Sequence, residues 1–165
     1  MPPAVVTSYI ENATSLFHYY KQLAEGAIAQ VPDGQLTAVL DPRMNSIAVM
    51  VKHLAGNMRS RWTDFLTTDG EKPFRDKNRE FQNAPLTREE LSELWEDGWG
   101  CAFRALADLS DADLSRTITI RGEPHSVLQA INRQLTHCAY HAGQIAFMAK
   151  HLVYEDWKPL KVSRG

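Results

Sequence analysis

Ser126-Val127-Leu128-Gln129-Ala130-Ile131-Asn132-Arg133-Gln134-Leu135-Thr136-His137-Cys138-Ala139-Tyr140-His141-Ala142-Gly143-Gln144-Ile145-Ala146-Phe147-Met148-Ala149-Lys150-His151-Leu152 is the clearest helical pattern in the chain. Leu128, Ile131, Leu135, Cys138, Ala142, Ile145, Ala149 and Leu152 recur at steps of three and four, which places them on one face of a helix. Ser126 and Gln129 have the spacing of a capping box, so the helix opens there. Just before it, Thr117-Ile118-Thr119-Ile120 alternates as a strand does, and Arg121-Gly122-Glu123 can turn it back into Pro124-His125-Ser126. A short β-hairpin is expected ahead of the last helix.

Working back toward the start, three more helices are legible. Residues 4–31 carry Val6, Tyr9, Ala13, Leu16, Tyr20, Leu23, Ala27 and Val31 at helical spacing, and Pro32-Asp33-Gly34 ends the run. A second helix starts near the caps Asn45 and Ser46, continues through Ile47, Met50, Leu54, Met58, Trp62 and Phe65, and is expected to stop around Thr68-Asp69-Gly70. A third opens on the capping box of Thr87 and Glu90, with a stripe of Leu91, Leu94, Gly98, Cys101, Ala105 and Leu109. Gly98 and Gly100 each cost this helix about 1 kcal/mol and suggest close packing by a neighbour or by Trp95 and Trp99. Four amphipathic helices predict an all-α four-helix bundle, residues 1–165 forming one domain. The polar link from Gly70 to Leu86 has 17 residues. Fully extended it reaches about 56 Å, against about 36 Å for a 24-residue helix, so it can cross the bundle and leave helices two and three parallel.

Composition narrows the function classes. With 18 Lys+Arg against 20 Asp+Glu the net charge is -2, and no basic stripe suits a phosphate backbone, so nucleic acid is not an expected partner. No apolar run approaches the roughly 20 residues of a membrane span. Met1-Pro2-Pro3-Ala4-Val5-Val6 has neither the charged nor the apolar region of a secretory signal. Cys101 and Cys138 sit in apolar helical patterns and read as reduced core residues. A cytoplasmic location follows as an expectation.

Of six histidines, His137 and His141 are four apart on the last helix, close enough on one face to be cis ligands of one metal ion. Ala139, Ala142 and Gly143 leave room beside them. Burying imidazoles is costly unless each finds a partner, and His53, beside Met50 and Leu54 on helix two, supplies one. Three neutral imidazoles from two helices make a face for a divalent ion with coordination positions left open. Cys138 stands where metalloprotease helices carry a glutamate, and no carboxylate lies nearby in sequence, so local spacing offers no general base. His18 and His125 read as edge and hairpin residues. His151 lies in the last helical turn, where the helix dipole favours a partly cationic ring. Trp95 and Trp99 read as core aromatics, with a helix-to-helix homodimer contact as the alternative.

The whole pattern resembles the DinB/YfiT-like superfamily of metal-binding four-helix bundles, and a subfamily in it of unassigned reaction. The resemblance is carried by Asn45-Ser46-Ile47-Ala48-Val49-Met50-Val51-Lys52-His53-Leu54-Ala55-Gly56-Asn57-Met58, by residues 61–72, by Ile120-Arg121-Gly122-Glu123-Pro124-His125, and by Arg133-Gln134-Leu135-Thr136-His137-Cys138-Ala139-Tyr140-His141-Ala142-Gly143-Gln144-Ile145. It implies one metal ligand on helix two and two on helix four, which fall on His53, His137 and His141. Some superfamily members resemble S-transferases or isomerases that use a low-molecular-weight thiol such as bacillithiol or mycothiol; others are described as metal-dependent hydrolases. Many relatives are expected to carry an aromatic residue where this chain has Cys138, so its pocket wall is expected to differ.

An ion on three neutral histidines keeps its charge and open positions, and would either bind a thiol as thiolate or acidify a bound water. With no general base in view, thiol S-transfer on a small molecule is the leading expectation, hydrolysis the second, and a non-catalytic metal-braced or interaction bundle the rival class. Zinc and nickel fit the donors best, and manganese or iron are also accepted. Asn57 and Arg61, four and eight residues beyond His53, and Arg133 and Gln134, just before His137, are candidates to hold an anionic substrate or cofactor.

Overall fold

The computed structural model describes residues 8–161. Five helices, α1 (Tyr9–Ile28), α2 (Ile47–Trp62), α3 (Lys77–Glu80), α4 (Arg88–Ala107) and α5 (Val127–Val153), are joined by a hairpin of β1 (Thr117–Ile120) and β2 (Glu123–Ser126) placed just before α5. Val6 and the start of the chain, read above for the first stripe and the absence of a secretory signal, lie outside the described residues. Among the described residues no helix is long and apolar enough to cross a membrane.

Side chains that satisfy free N–H groups set the helix starts. Ser8, Thr87 and Ser126 each form a full capping box, with Glu11, Glu90 and Gln129 respectively. In the hairpin, Thr117 pairs with Ser126 and Ile120 with Glu123, and Arg121 and Gly122 both take the positive φ that a tight two-residue turn needs.

Packing contacts give the helix directions. Ala55 lies behind Gly98 and Thr63 meets Cys101, so α2 and α4 run the same way. Tyr9 meets Asn132 near the start of α1 and α5, and Gln30 meets Lys158 just past the end of both, so these also run together. His18 stacks on Phe103 and Glu25 accepts from the Trp95 indole, which makes α1 and α4 antiparallel. A Cβ on Gly98 would come within 2.6 Å of the Ala55 Cα, so glycine is what lets α2 and α4 approach this closely. Gly100 has no such role, since a Cβ there would meet only the Arg104 side chain.

Several boundaries and faces differ from the sequence reading. α2 ends at Trp62, not near Gly70, because Thr63 is extended and Asp64 takes a positive φ. Phe65 keeps the helical rhythm only by folding back to stack on Trp62, 4.5 Å between ring centroids. In α4 the buried face is Leu91, Trp95, Gly98, Trp99, Ala102 and Leu106, one step round from the expected stripe, and Leu94 is 40% exposed. In α1, Ile10 and Phe17 are buried while Leu16 is exposed, and in α5 Val127 takes the interior place expected of Leu128. Trp95 and Trp99 are interior, packed with each other, and Trp99 packs edge-on to Phe17, so this pair is not free for a contact between copies. Within the link after α2, α3 forms a turn, capped by Asp76, that carries a buried glutamate.

Candidate metal centre

His53 on α2 and His137 and His141 on α5 bring one ligand atom each within 4.8 Å of one another, the three expected from sequence. The Nε2 atoms of His53 and His137 are 3.2 Å apart, and those of His141 and His137 are 3.1 Å apart. Ligands of a tetrahedral ion at ~2.05 Å would be about 3.3 Å apart, so the spacing matches a shared ion. Among the described residues no Cys, Asp, Glu or fourth His joins the cluster.

The opposite edge of His53 fixes its proton. Nδ1 lies 3.1 Å from Glu80 Oε2, and an ionised carboxylate only accepts, so Nδ1 carries a hydrogen and, in the neutral ring, Nε2 offers a lone pair to the cluster. Glu80 is held in turn by Arg75, whose Nε and Nη2 donate to its two oxygens at 2.8 and 2.9 Å. Burial alone would raise the Glu80 pKa, but Arg75 and His53 hold it below the usual carboxylate range. One proton on His137 Nε2 cannot serve both of its close nitrogen neighbours, whereas a cation satisfies three lone pairs at once. The residues present therefore fit a divalent ion. Burial, then the charges of neighbouring imidazoles, push the His137 pKa down to about 3, and burial followed by His53 pushes His141 down to about 4. Both are neutral at ordinary pH, as metal ligands must be.

A carboxylate, Glu80, does accompany the histidines in space, although none lies near them in sequence. It arrives from α3, 27 residues beyond His53, where local spacing could not show it. Gly56 makes the approach possible: a Cβ there would lie 2.8 Å from the Glu80 Cδ. A glycine in mid-helix, three residues past a candidate ligand, was the available signal.

A cavity of about 490 Å³ opens beside the cluster. Asn57, Arg61, Arg133 and Gln134, the four candidate binding residues, line it together with His53 and His137. Their surroundings differ. Gln134 is buried and donates to Cys138 Sγ at 3.6 Å, while Arg133 is exposed. Asn57 and Arg61 are buried, and among the described residues Asn57 Oδ1 and Arg61 Nε and Nη1 have no partner. Cys138 is not part of the cavity wall: it faces the core, fully buried, and burial pushes its thiol up to about 12. Phe81 and Tyr140, both substantially exposed, stand at the rim against the rings of His53 and His141.

A family model described as a protein of unknown function, DUF1572, matches residues 4–165. The chain belongs to the DUF1572 family. No curated protein and no solved structure matches it. For this DUF1572 protein the site geometry therefore carries the functional argument. The hairpin contributes to that geometry, because Asp69 accepts from the Arg121 and Gly122 amides at 2.9 and 2.8 Å and so fastens the turn to the crossover. Arg121 thereby joins the cavity wall.

Proposed function

We propose that this protein is a four-helix bundle of the DinB/YfiT-like superfamily that binds one divalent ion, zinc or nickel by preference, on His53, His137 and His141. We further propose that it acts in the cytoplasm as a metal-dependent enzyme of thiol S-transferase type on a small molecule. The bundle reading is supported by the helix directions above and by the crossover between α2 and α4.

The observation that carries the enzyme reading is the open side of the cluster. Three nitrogens converge beside a cavity of about 490 Å³, and among the described residues no fourth protein ligand closes the set. Structural zinc sites have four protein ligands, whereas catalytic ones have three and an open position. A divalent ion held there would supply a charge that stabilises a thiolate or acidifies a water.

The cavity lining favours the thiol. Among the described residues no Asp or Glu belongs to it, so none of them there can take a proton from water. Glu80 does not fill that role, because Arg75 occupies both its oxygens and it faces His53 on the ring edge turned away from the cluster. Its part is to hold the His53 tautomer and orientation. A thiolate needs no base once ionised.

The test is a screen of small thiols against the cobalt-substituted protein, read as a thiolate-to-metal absorption band, alongside metal-dependent conjugation of an electrophile. A band that chelator abolishes is expected. A large melting-temperature loss on chelation with no thiol band would instead mark the metal as a brace.

A further inference from the structure

Arg61 lies two turns after His53 on α2 and is 5% exposed. Burial, followed by the charge of Arg133, pushes its guanidinium down to about 10, so it is still a cation at neutral pH. A buried charge without a partner is costly, and among the described residues two of its nitrogens have no acceptor.

No carboxylate pairs with it directly among the described residues; the charge of Glu71 favours its cationic form, but Glu71 is bound elsewhere. The other cations on the cavity wall are Arg75, Lys77, Arg121 and Arg133. Arg75 is committed to Glu80, and Glu71 is shared among Lys77, Arg121 and Arg75. Arg133 has no ion pair among the described residues. Among the described residues, two guanidinium groups without an ion pair thus line one cavity whose wall holds no carboxylate. The position of Arg61 is also built: a Cβ on Gly70 would come within 2.9 Å of the Arg61 Cδ, so the glycine leaves space for its stem.

We propose that Arg61, assisted by Arg133, binds an oxyanion group, carboxylate or phosphate, of the small molecule that occupies this cavity. A guanidinium presents paired N–H donors that match two oxygens of either group. Asn57, one turn from both His53 and Arg61 and with its Oδ1 unpartnered, offers an acceptor to a hydroxyl or N–H beside that oxyanion. The placement of the ligand's other end at the histidines rests on the enzyme reading; the anion site does not.

The experiment is calorimetric titration of the chelated protein at low salt with inorganic phosphate and, separately, with succinate. Binding of at least one is expected, and which one identifies the group. Arg61→Met should weaken it by about tenfold or more, the loss of a charge-assisted bond. Arg133→Gln, at an exposed position that the fold does not need, should weaken it as well and carries the test if Arg61→Met does not fold. Binding should persist in His137→Ala/His141→Ala, so failure of the metal site leaves this result standing. No heat with either anion would overturn the proposal, as would binding undiminished in both arginine variants.

Discussion

His53 donates its Nδ1–H to the Glu80 carboxylate across 3.1 Å, and this bond joins α2 to the crossover that passes over it. In the neutral ring this leaves the lone pair on Nε2, which lies 3.2 Å from His137 Nε2. The bond also makes the crossover part of the site: α3 is only four residues long, yet its Glu80 is buried because Arg75 and His53 both engage it.

Removing that carboxylate should weaken metal binding without removing a ligand. Partners of metal-bound histidines are typically worth about 10–100-fold in affinity. Glu80→Gln should lower metal affinity by about that much, measured by competition with a chromophoric chelator. It should also destabilise the protein, because Arg75, whose side chain is 2% exposed, loses its counter-charge. Unchanged metal affinity would show that Glu80 serves only the fold.

Gly56→Ala tests the same relationship from the other side. The substitution should favour the helix by about 1 kcal/mol, but the added Cβ occupies the place of the Glu80 side chain. Metal affinity should fall as in Glu80→Gln, and the double variant should be no worse than the poorer single one, since both break one bond. Additive losses would mean that the two residues act separately.

The metal-free protein should weaken in acid over a defined window. His137 and His141 are held down to about 3 and about 4, while in the unfolded chain histidine protonates near ~6.5. Between about pH 6.5 and 4 the unfolded state therefore binds more protons, and stability falls as pH falls through that range. Glu80, whose folded pKa is depressed, adds its own loss only below its ordinary range. Thermal unfolding of chelated wild type should drop more from pH 7 to pH 5 than that of His137→Gln/His141→Gln; equal drops would contradict the buried neutral histidines.

The parts of the fold legible in sequence were those set by local chemistry. Capping boxes at Thr87 and Ser126 marked the starts of α4 and α5, and the i,i+4 histidine pair named two of the three clustered histidines. Faces were less secure. In α4, steps of three and four run equally well through Leu94 or through Trp95, and only the packing of Trp95 and Trp99 against neighbouring aromatics decides between them. The end of α2 was hidden because Phe65 is buried, as a continuing helix would require, although the backbone has already turned at Asp64. Glu80 and Arg75 were invisible for a different reason: they act through a tertiary approach for which Gly56 was the sole local sign.

Metal content tests the central claim most directly. Purified wild type, exchanged into metal-free buffer after loading, should retain close to one divalent ion per chain by elemental analysis, and His137→Ala/His141→Ala should retain none while keeping its helical circular dichroism. Equal metal content in wild type and a folded double variant would contradict the account.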